Sequence, residues 1–321
     1  MTQPDFWAFS VPVDDYPRTL AELERRFATE AACRSYLASL RWPDGFVCPK
    51  CTTPKGWEMA RGLWLCAGCR RQISVTSGTI FQGTRLPLVT WFRAMWYITS
   101  QKNGASALGL QRVLGFGSYQ TAWAWLHKLR RAMVRPGRER LSGVVEVDES
   151  YVGGEEVGAR GRYTRTKAIV AIAVEVHSPK GFGRIRMRRV AGVAAADLTP
   201  FVRETIEPGS VVQTDGWSGY NEVAEHGYQR VKKIASRSGD PAHVAMPGVH
   251  RISALLKRWL LGTHQGAVSS RHLDYYLDEF TFRFNRRTST SRGKLFYRLV
   301  QHAVLVNPAS YRSIIRNNQV E

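Results

Sequence analysis

The chain has 321 residues, a hydrophobic share of 44% and a formal net charge of +20 at pH 7. That length supports two or three domains with a sizeable core, and the apolar share excludes a disordered chain. No apolar run is long enough to span a membrane, and the first twenty residues have neither a basic start nor an apolar centre, so a cytoplasmic protein is expected.

The charge is unevenly spread. Residues 1–47 carry five Lys/Arg and seven Asp/Glu, whereas residues 48–140 carry fifteen and two. A stretch of some ninety residues almost without acids points to a polyanion, and DNA is the expected partner. No basic amphipathic helix stands apart from the rest, so a membrane surface is not.

Residues 1–44 read as a helical lead-in. Thr19 is placed to cap the helix LAELERRFATEAACRSYLASL, with Glu22 three residues on. Residues 45–84 hold two CxxC pairs, Cys48–Cys51 and Cys66–Cys69, fourteen residues apart. In a reducing compartment two disulfides are disfavoured, and four thiolates at this spacing close a tetrahedral zinc site, expected to be structural. Lys50, Lys55, Arg61, Arg70 and Arg71 surround it, Gly45, Gly62 and Gly68 supply turns, and QISVTSGTIF alternates as a strand would. Cys33 is expected in the core.

Residues 85–140 read as a helical DNA-binding segment. Helices are expected at 86–101 and 119–133, with a shorter one before Gly115-Phe116-Gly117. A helix-turn-helix is one reading and a basic-faced bundle the other. Lys128, Arg130 and Arg131 of the last helix are candidate DNA contacts.

From Val144 the period changes. Strands are expected at VVEVDESYVGG, at the apolar run KAIVAIAVEV, at GRIRMRRVAG with Arg184, Arg186 and Arg188 on one basic face, at SVVQTD, and at 228–234. Helices fall between and after them, so residues 141–305 are expected to form an α/β domain with a mixed sheet flanked by helices, followed by a tail at 306–321. Glu146 and Asp148 share one strand face, and Asp215 ends an apolar strand. On its own the first reads as an edge strand with a solvated acidic face, and the second as a helix N-cap. If their strands are neighbours, both carboxylates enter one crevice. At about 4 Å two such charges repel by roughly 4 kcal/mol at an effective dielectric of about 20, so a proton or a divalent cation must sit between them. In VHRISALLKRWLL, His250 and Lys257 lie two helical turns apart on one face.

Taken together, CPKC…CAGC, VVEVDESYVGG, QTDGWSGY and LLKRWLLGTHQGAVSSRHLDYYLDEFTFRFNRR resemble the zinc-ribbon, ISXO-like insertion-sequence transposases of the DDE, ribonuclease-H-like superfamily. The resemblance implies a ribonuclease-H-like core and a pair of catalytic Mg2+ or Mn2+ ions besides the structural Zn2+. It also implies cleavage at transposon ends followed by strand transfer, by a homodimer or larger assembly on DNA. Carried over, Asp148 and Asp215 match the first two catalytic acids, and Lys257 the basic residue that follows the third by seven. His250 stands at that third position, where many relatives have Glu or Asn. Asp240, Asp274, Asp278 and Glu279 are the other acids nearby in sequence. Arg184, Arg186, Arg188, Lys232 and Lys233 are expected to track phosphates. The competing expectations are a weakened or domesticated DNA-binding protein and a structure-specific nuclease on the same scaffold.

Overall fold

The computed structural model describes residues 15–135, 137–154, 156, 164, 166–177, 181–234 and 242–316. Asp240, most of the loops expected at 152–166 and 235–248, and the end of the tail lie outside the described residues. The chain divides into two compact units, residues 1–136 with 289–321, and residues 137–288.

The first unit opens with two helices where one was expected, α1 (Leu20–Arg26) and α2 (Glu30–Arg41). The Thr19 hydroxyl accepts from the Glu22 amide as foreseen, but Thr29 repeats the arrangement with Ala32 and starts a second helix. The ribbon follows as an antiparallel sheet of β1 (Gly56–Glu58), β2 (Leu63–Cys66) and β3 (Gln72–Ser74). The alternating QISVTSGTIF is a strand only over its first three residues; the Thr79 hydroxyl accepts from the Phe81 amide and donates to the Thr76 carbonyl, closing a turn instead. Then come α3 (Leu88–Ser100), α4 (Ala107–Leu114) and α5 (Tyr119–Arg131). Gly115, at φ 68°, ends α4 in the left-handed conformation, and Ser118 caps α5, giving the expected pair of helices on a short turn.

The second unit is a five-stranded mixed sheet of β4 (Val144–Val152), β5 (Ala168–Val176), β6 (Phe182–Val190), β7 (Val211–Thr214) and β8 (Gln229–Lys232). The order is β6-β5-β4-β7-β8, antiparallel between β4, β5 and β6 and parallel from β4 through β7 to β8. This is the ribonuclease-H-like arrangement that the resemblance implied. Helix α6 (Ala195–Thr205) and a 3-10 segment at Ser218–His226 cover one face, where Val145, Val147, Ala171, Ala173 and Val212 meet Phe201 and Tyr220. After the short α7 (Ala242–Ala245), helices α8 (Pro247–His264) and α9 (Leu273–Phe284) cover the other, on Val170, Ile172, Val174, Ile185 and Met187. β5 is buried on both faces, which is why its sequence is an unbroken apolar run.

The chain then returns to the first unit. Helix α10 (Arg292–Ala303) packs on α2 and α3, with Phe27, Phe92 and Phe296 in one aromatic cluster, and α11 (Tyr311–Arg316) packs on α5. The second unit therefore ends near residue 288 and not at the expected 305, because α10 buries its apolar face against the N-terminal helices. Gly293 makes that packing possible: a Cβ there would lie 1.8 Å from the Pro17 carbonyl oxygen.

One group of the second unit titrates far from its ordinary range. Asp278 of α9 is pushed up to about 7, first by burial, with the pull of Arg138 opposed by the nearby Asp274. A carboxyl with a raised folded pKa stabilises the fold fully below its unfolded value and loses that contribution as pH climbs to the folded one. The stability of the wild type relative to Asp278→Asn should accordingly fall between about pH 4 and pH 7. Denaturant midpoints across that range test this, and a pH-independent difference would contradict it.

Candidate functional site

The zinc ribbon is built from two matching knuckles. The Thr52 amide donates to the Cys48 carbonyl and the Arg70 amide to the Cys66 carbonyl, while the Cys48 amide reaches the Thr53 carbonyl and the Cys66 amide the Arg71 carbonyl. The left-handed positions in these turns are Thr52 (φ 58°) and Arg70 (φ 59°), while Gly68 lies in the second turn as expected. Gly68 is needed for clearance, since a Cβ there would meet the Thr53 hydroxyl at 2.4 Å. All four sulfur atoms lie within 4.8 Å of one another, with Cys48–Cys69 at 3.7 Å and Cys51–Cys66 at 3.5 Å. Disulfide sulfurs sit about 2.0 Å apart, and ligands around tetrahedral zinc about 3.8 Å apart, so the set fits zinc. Hydrogen bonds from Thr53 favour the Cys51 thiolate and bring that thiol down to about 6. Four thiolates leave no open coordination position, so the metal here is structural.

The candidate acids lie in the second unit. Val145 pairs with Val212 and Glu146 with Gln213 across the parallel β4–β7 ladder. Continued by two residues, that register brings Asp148 level with Asp215, at the end where β7 stops. Val145, Val147 and Val212 pack against α6, so the alternation turns Glu146, Asp148 and Ser150 to the opposite face, toward α8. Asp215 accepts a hydrogen bond at Oδ1 from the Trp217 amide, 2.9 Å, an Asx turn that points the carboxylate out of the strand end. Asp148 accepts at Oδ1 from the Glu149 amide. Behind both lies Tyr220, fully buried, whose hydroxyl donates to Glu149. Its pKa is pushed far up, first by burial and then by the charges of Glu149, Asp148 and Asp215.

Helix α8 is fixed over this point by an interaction that the sequence reading left open. The Glu146 carboxylate accepts from the Val249 amide at 2.9 Å and from the Gly248 amide, at the helix N-terminus. A Cβ on Gly248 would lie 2.8 Å from Glu146 Oε2, so only glycine lets the two approach. One helical turn on, Ser253 and Ser150 share a 2.6 Å hydrogen bond. Trp259 packs on Tyr276 and Phe280 of α9, which defines the flank of α8 that faces α9. His250 lies on the opposite flank by the 100° step per residue, toward β7, whereas Lys257, one turn beyond Ser253, stands with Val152, Lys167 and Leu273 where β4 ends and β5 begins. Among the described residues only the four cysteines bring three donor atoms within 4.8 Å of one another; Asp148, Asp215 and His250 do not close that tightly as a set. The other acids near α9 are committed elsewhere. Asp274 pairs with Arg189, Asp278 lies beside Arg138 and Glu279 pairs with Arg283.

The expected DNA contacts divide sharply. Arg130 is 1% exposed and Arg186 4%, so neither reaches a phosphate. Helix α5 is wrapped on most sides, with Trp125 stacked on Trp91 at 3.6 Å, and its basic residues are drawn in with it. Lys128 stands over the Trp91 ring and burial lowers its pKa. The basic face of β6 is likewise spent within the unit: Arg184 bonds Glu175, Arg186 bonds the Glu139 carbonyl, and Arg188 pairs with Glu204 over the Phe201 ring. Arg131 is half-buried. Exposed cations include Lys50, Lys55, Arg61, Arg70 and Arg71 on the ribbon, Lys232 and Lys233 at the end of β8, and Arg251, Lys257 and Arg258 on α8.

Comparison with known families agrees with both halves. Residues 28–72 match the transposase zinc-ribbon domain and residues 140–285 the ISXO2-like transposase domain. A Halobacterium salinarum protein named "Uncharacterized protein in transposable element ISH50" is 26% identical over 278 residues, covering 81% of this chain and 92% of that protein. A Haemophilus influenzae "Uncharacterized transposase-like protein" is 26% identical over 118 residues, 36% of this chain and 93% of its own length.

Two outcomes follow from the geometry. Metal analysis after dialysis should find about one zinc per chain, lost in Cys48→Ser while the second unit keeps its own unfolding transition; zinc retained in that variant would refute the four-thiolate site. Glu146→Ala should destabilise the second unit by about 1–3 kcal/mol by orphaning the α8 amides. Glu146→Gln, which keeps an acceptor and removes a buried charge whose pKa burial raises, should hold wild-type stability at pH 7. Equal losses in both variants would argue against the capping role.

Proposed function

We propose that this chain, which matches the ISXO2-like transposase domain over residues 140–285 and the transposase zinc-ribbon domain over residues 28–72, cuts phosphodiester bonds at insertion-sequence ends and joins the freed ends to target DNA by two-metal transesterification. What supports this reading most is the parallel β4–β7 register, with Glu146 opposite Gln213, which continued by two residues would bring Asp148 level with Asp215 on the sheet face under α8. Strands in such a ladder lie about 4.8 Å apart, and two carboxylates at that separation repel unless a cation is shared between them.

Asp148 would serve both ions, with Asp215 on one and His250 on the other, so the three donors need not converge on a single point. Oxygen donors suit Mg2+ or Mn2+, and the imidazole shifts the preference toward Mn2+. When bound, such ions activate the attacking oxygen and stabilise the leaving one in an in-line displacement. The protein's own part is positional. Glu146 and Ser150 hold α8 so that His250 stays over Asp148, the Asx turn at Asp215 fixes that carboxylate, and Lys257 neutralises a phosphate oxygen. The exposed cations of the ribbon and of the crevice rim bind the DNA backbone. Two ends must be paired, so a homodimer or larger assembly acts on DNA, in the cytoplasm at the nucleoid. Among the described residues no helix is long and apolar enough to cross a membrane.

The test is a labelled duplex carrying the element's terminal repeat, incubated with Mg2+ or Mn2+. Wild-type protein should cut and join it. Asp148→Ala and Asp215→Ala should each lose at least about a hundredfold in rate while binding DNA within a few-fold of wild type, since changes that merely support metal ligands already cost 10–100-fold. Binding without cutting by the wild type would leave a DNA-binding protein, to which His250 in an acid's place would then be the clue. Cutting without joining would make it a structure-specific nuclease.

A further inference from the structure

Beyond Asp148 the α8 face of β4 does not end in solvent. It runs into a cleft of about 620 Å³ lined by the end of β4, the start of β5, the C-terminal half of α8 and the approach to α9. The line Glu146, Asp148, Ser150, Val152 leads into it, and Lys257 follows Ser253 by one turn on its other wall. The cleft opens beyond the Ser150–Ser253 contact, with Val152 about 13 Å along the strand from Asp148. That is the length of about four stacked nucleotides of one DNA strand.

Its chemistry is mixed in a specific way. Val152, Leu260, Val268 and Leu273 form apolar walls, and Leu261, 66% exposed, stands at the mouth. Lys167 and Lys257 bring two ammonium groups, and among the described residues neither has a carboxylate partner. Gly153 and Gly154 keep one side open: a Cβ on Gly153 would press to 3.2 Å from the Lys167 Cα, and its φ of 152° disfavours any side chain. Small-molecule sites have this size and make-up, an apolar slot with few polar groups at defined places. A flat apolar body joined to an anion fits it, and the strand that a transposase lays past its scissile bond is made of such units.

We infer that this cleft is a nucleotide subsite, which takes one base of the transposon-end strand out of the stack into the Val152–Leu261 slot, with Lys167 and Lys257 on the flanking phosphates. The inference extends the transposase reading: it names which part of the DNA the crevice holds beside the scissile phosphate. Extruding a base costs a few kcal/mol of stacking and pairing, which apolar contact and two charge-assisted phosphate contacts offset. The slot would then register the end, so that cleavage falls at a fixed distance from it.

The experiment uses terminal-repeat duplexes with 2-aminopurine at each of the last several positions in turn. They are bound to the full chain with the Asp148→Ala change, so that nothing is cut. One position within about four nucleotides of the cleavage point should brighten several-fold on binding. The signal should be lost in Leu261→Glu and in Lys167→Glu, both rim changes that leave the core intact, while anisotropy shows Leu261→Glu still binding within about threefold. DNA bound with no position brightening, or a signal that survives Leu261→Glu, overturns the subsite. The transposase reading is judged separately by wild-type cutting: cutting without a signal defeats the subsite alone, a signal without cutting defeats the enzyme alone, and no binding defeats both.

Discussion

The second unit depends on one buried contact, the Glu146 carboxylate against the first amides of α8. The start of a helix leaves its N–H groups without partners and carries a partial positive charge, so a carboxylate is a strong acceptor there. Burial penalises that charge and raises the pKa of Glu146, while the amides of Val249 and Gly248 and the nearby Lys233 pull the other way. The contact is a helix cap provided by a strand, and it joins two segments a hundred residues apart. Because Glu146 and Asp148 are two residues apart on the same face, whatever fixes α8 on Glu146 also fixes it over Asp148. Capping and the candidate chemistry are thus mechanically one feature.

The glycines and aromatics around this point have the same logic. Gly248 clears the approach of Glu146. Gly219 sits where a Cβ would strike the Val193 carbonyl at 2.3 Å, and the neighbouring Trp217 indole donates to that same carbonyl. The stretch after β7 is therefore pinned against the loop before α6, and Tyr220 is delivered behind the aspartates to hold Glu149. A phenol buried among three carboxylates stays protonated, so it remains a donor at any physiological pH.

The two units divide the electrostatic work differently from the way raw charge suggests. The densest basic stretches, at the end of α5 and along β6, are largely consumed by internal partners, because a guanidinium on a strand or helix that packs on both sides must find its acceptors inside. In the proposed reading, phosphate binding falls instead to shorter, scattered runs on the ribbon knuckles and around α8. Arg184 and Arg188 show the exchange plainly: their partners Glu175 and Glu204 are among the few acids of the region.

Local pattern was enough for a good part of this. The CxxC spacing defined the ribbon, because four thiolates so placed have one economical closure. The unbroken apolar run of β5 marked a doubly covered strand, whereas the period-two run at β4, which by itself read as an edge strand with a solvated acidic face, is the central strand, with Glu146 buried under α8. The motifs VVEVDESYVGG and QTDGWSGY marked Asp148 and Asp215. What these could not carry was pairing and depth. The neighbourhood of β4 and β7, the trans cap from Glu146 to α8, and the return of α10 to the first unit are contacts between segments far apart in sequence, and hydrophobic period is blind to partners. The same limit hid the fate of Arg130 and Arg186, since a charge reads alike on a solvated face and in a sealed one. Sequence alone decided which residues were available for chemistry, and only the packed sheet and helices decided which of them stand together, because proximity across a fold is set by burial and register and not by spacing along the chain.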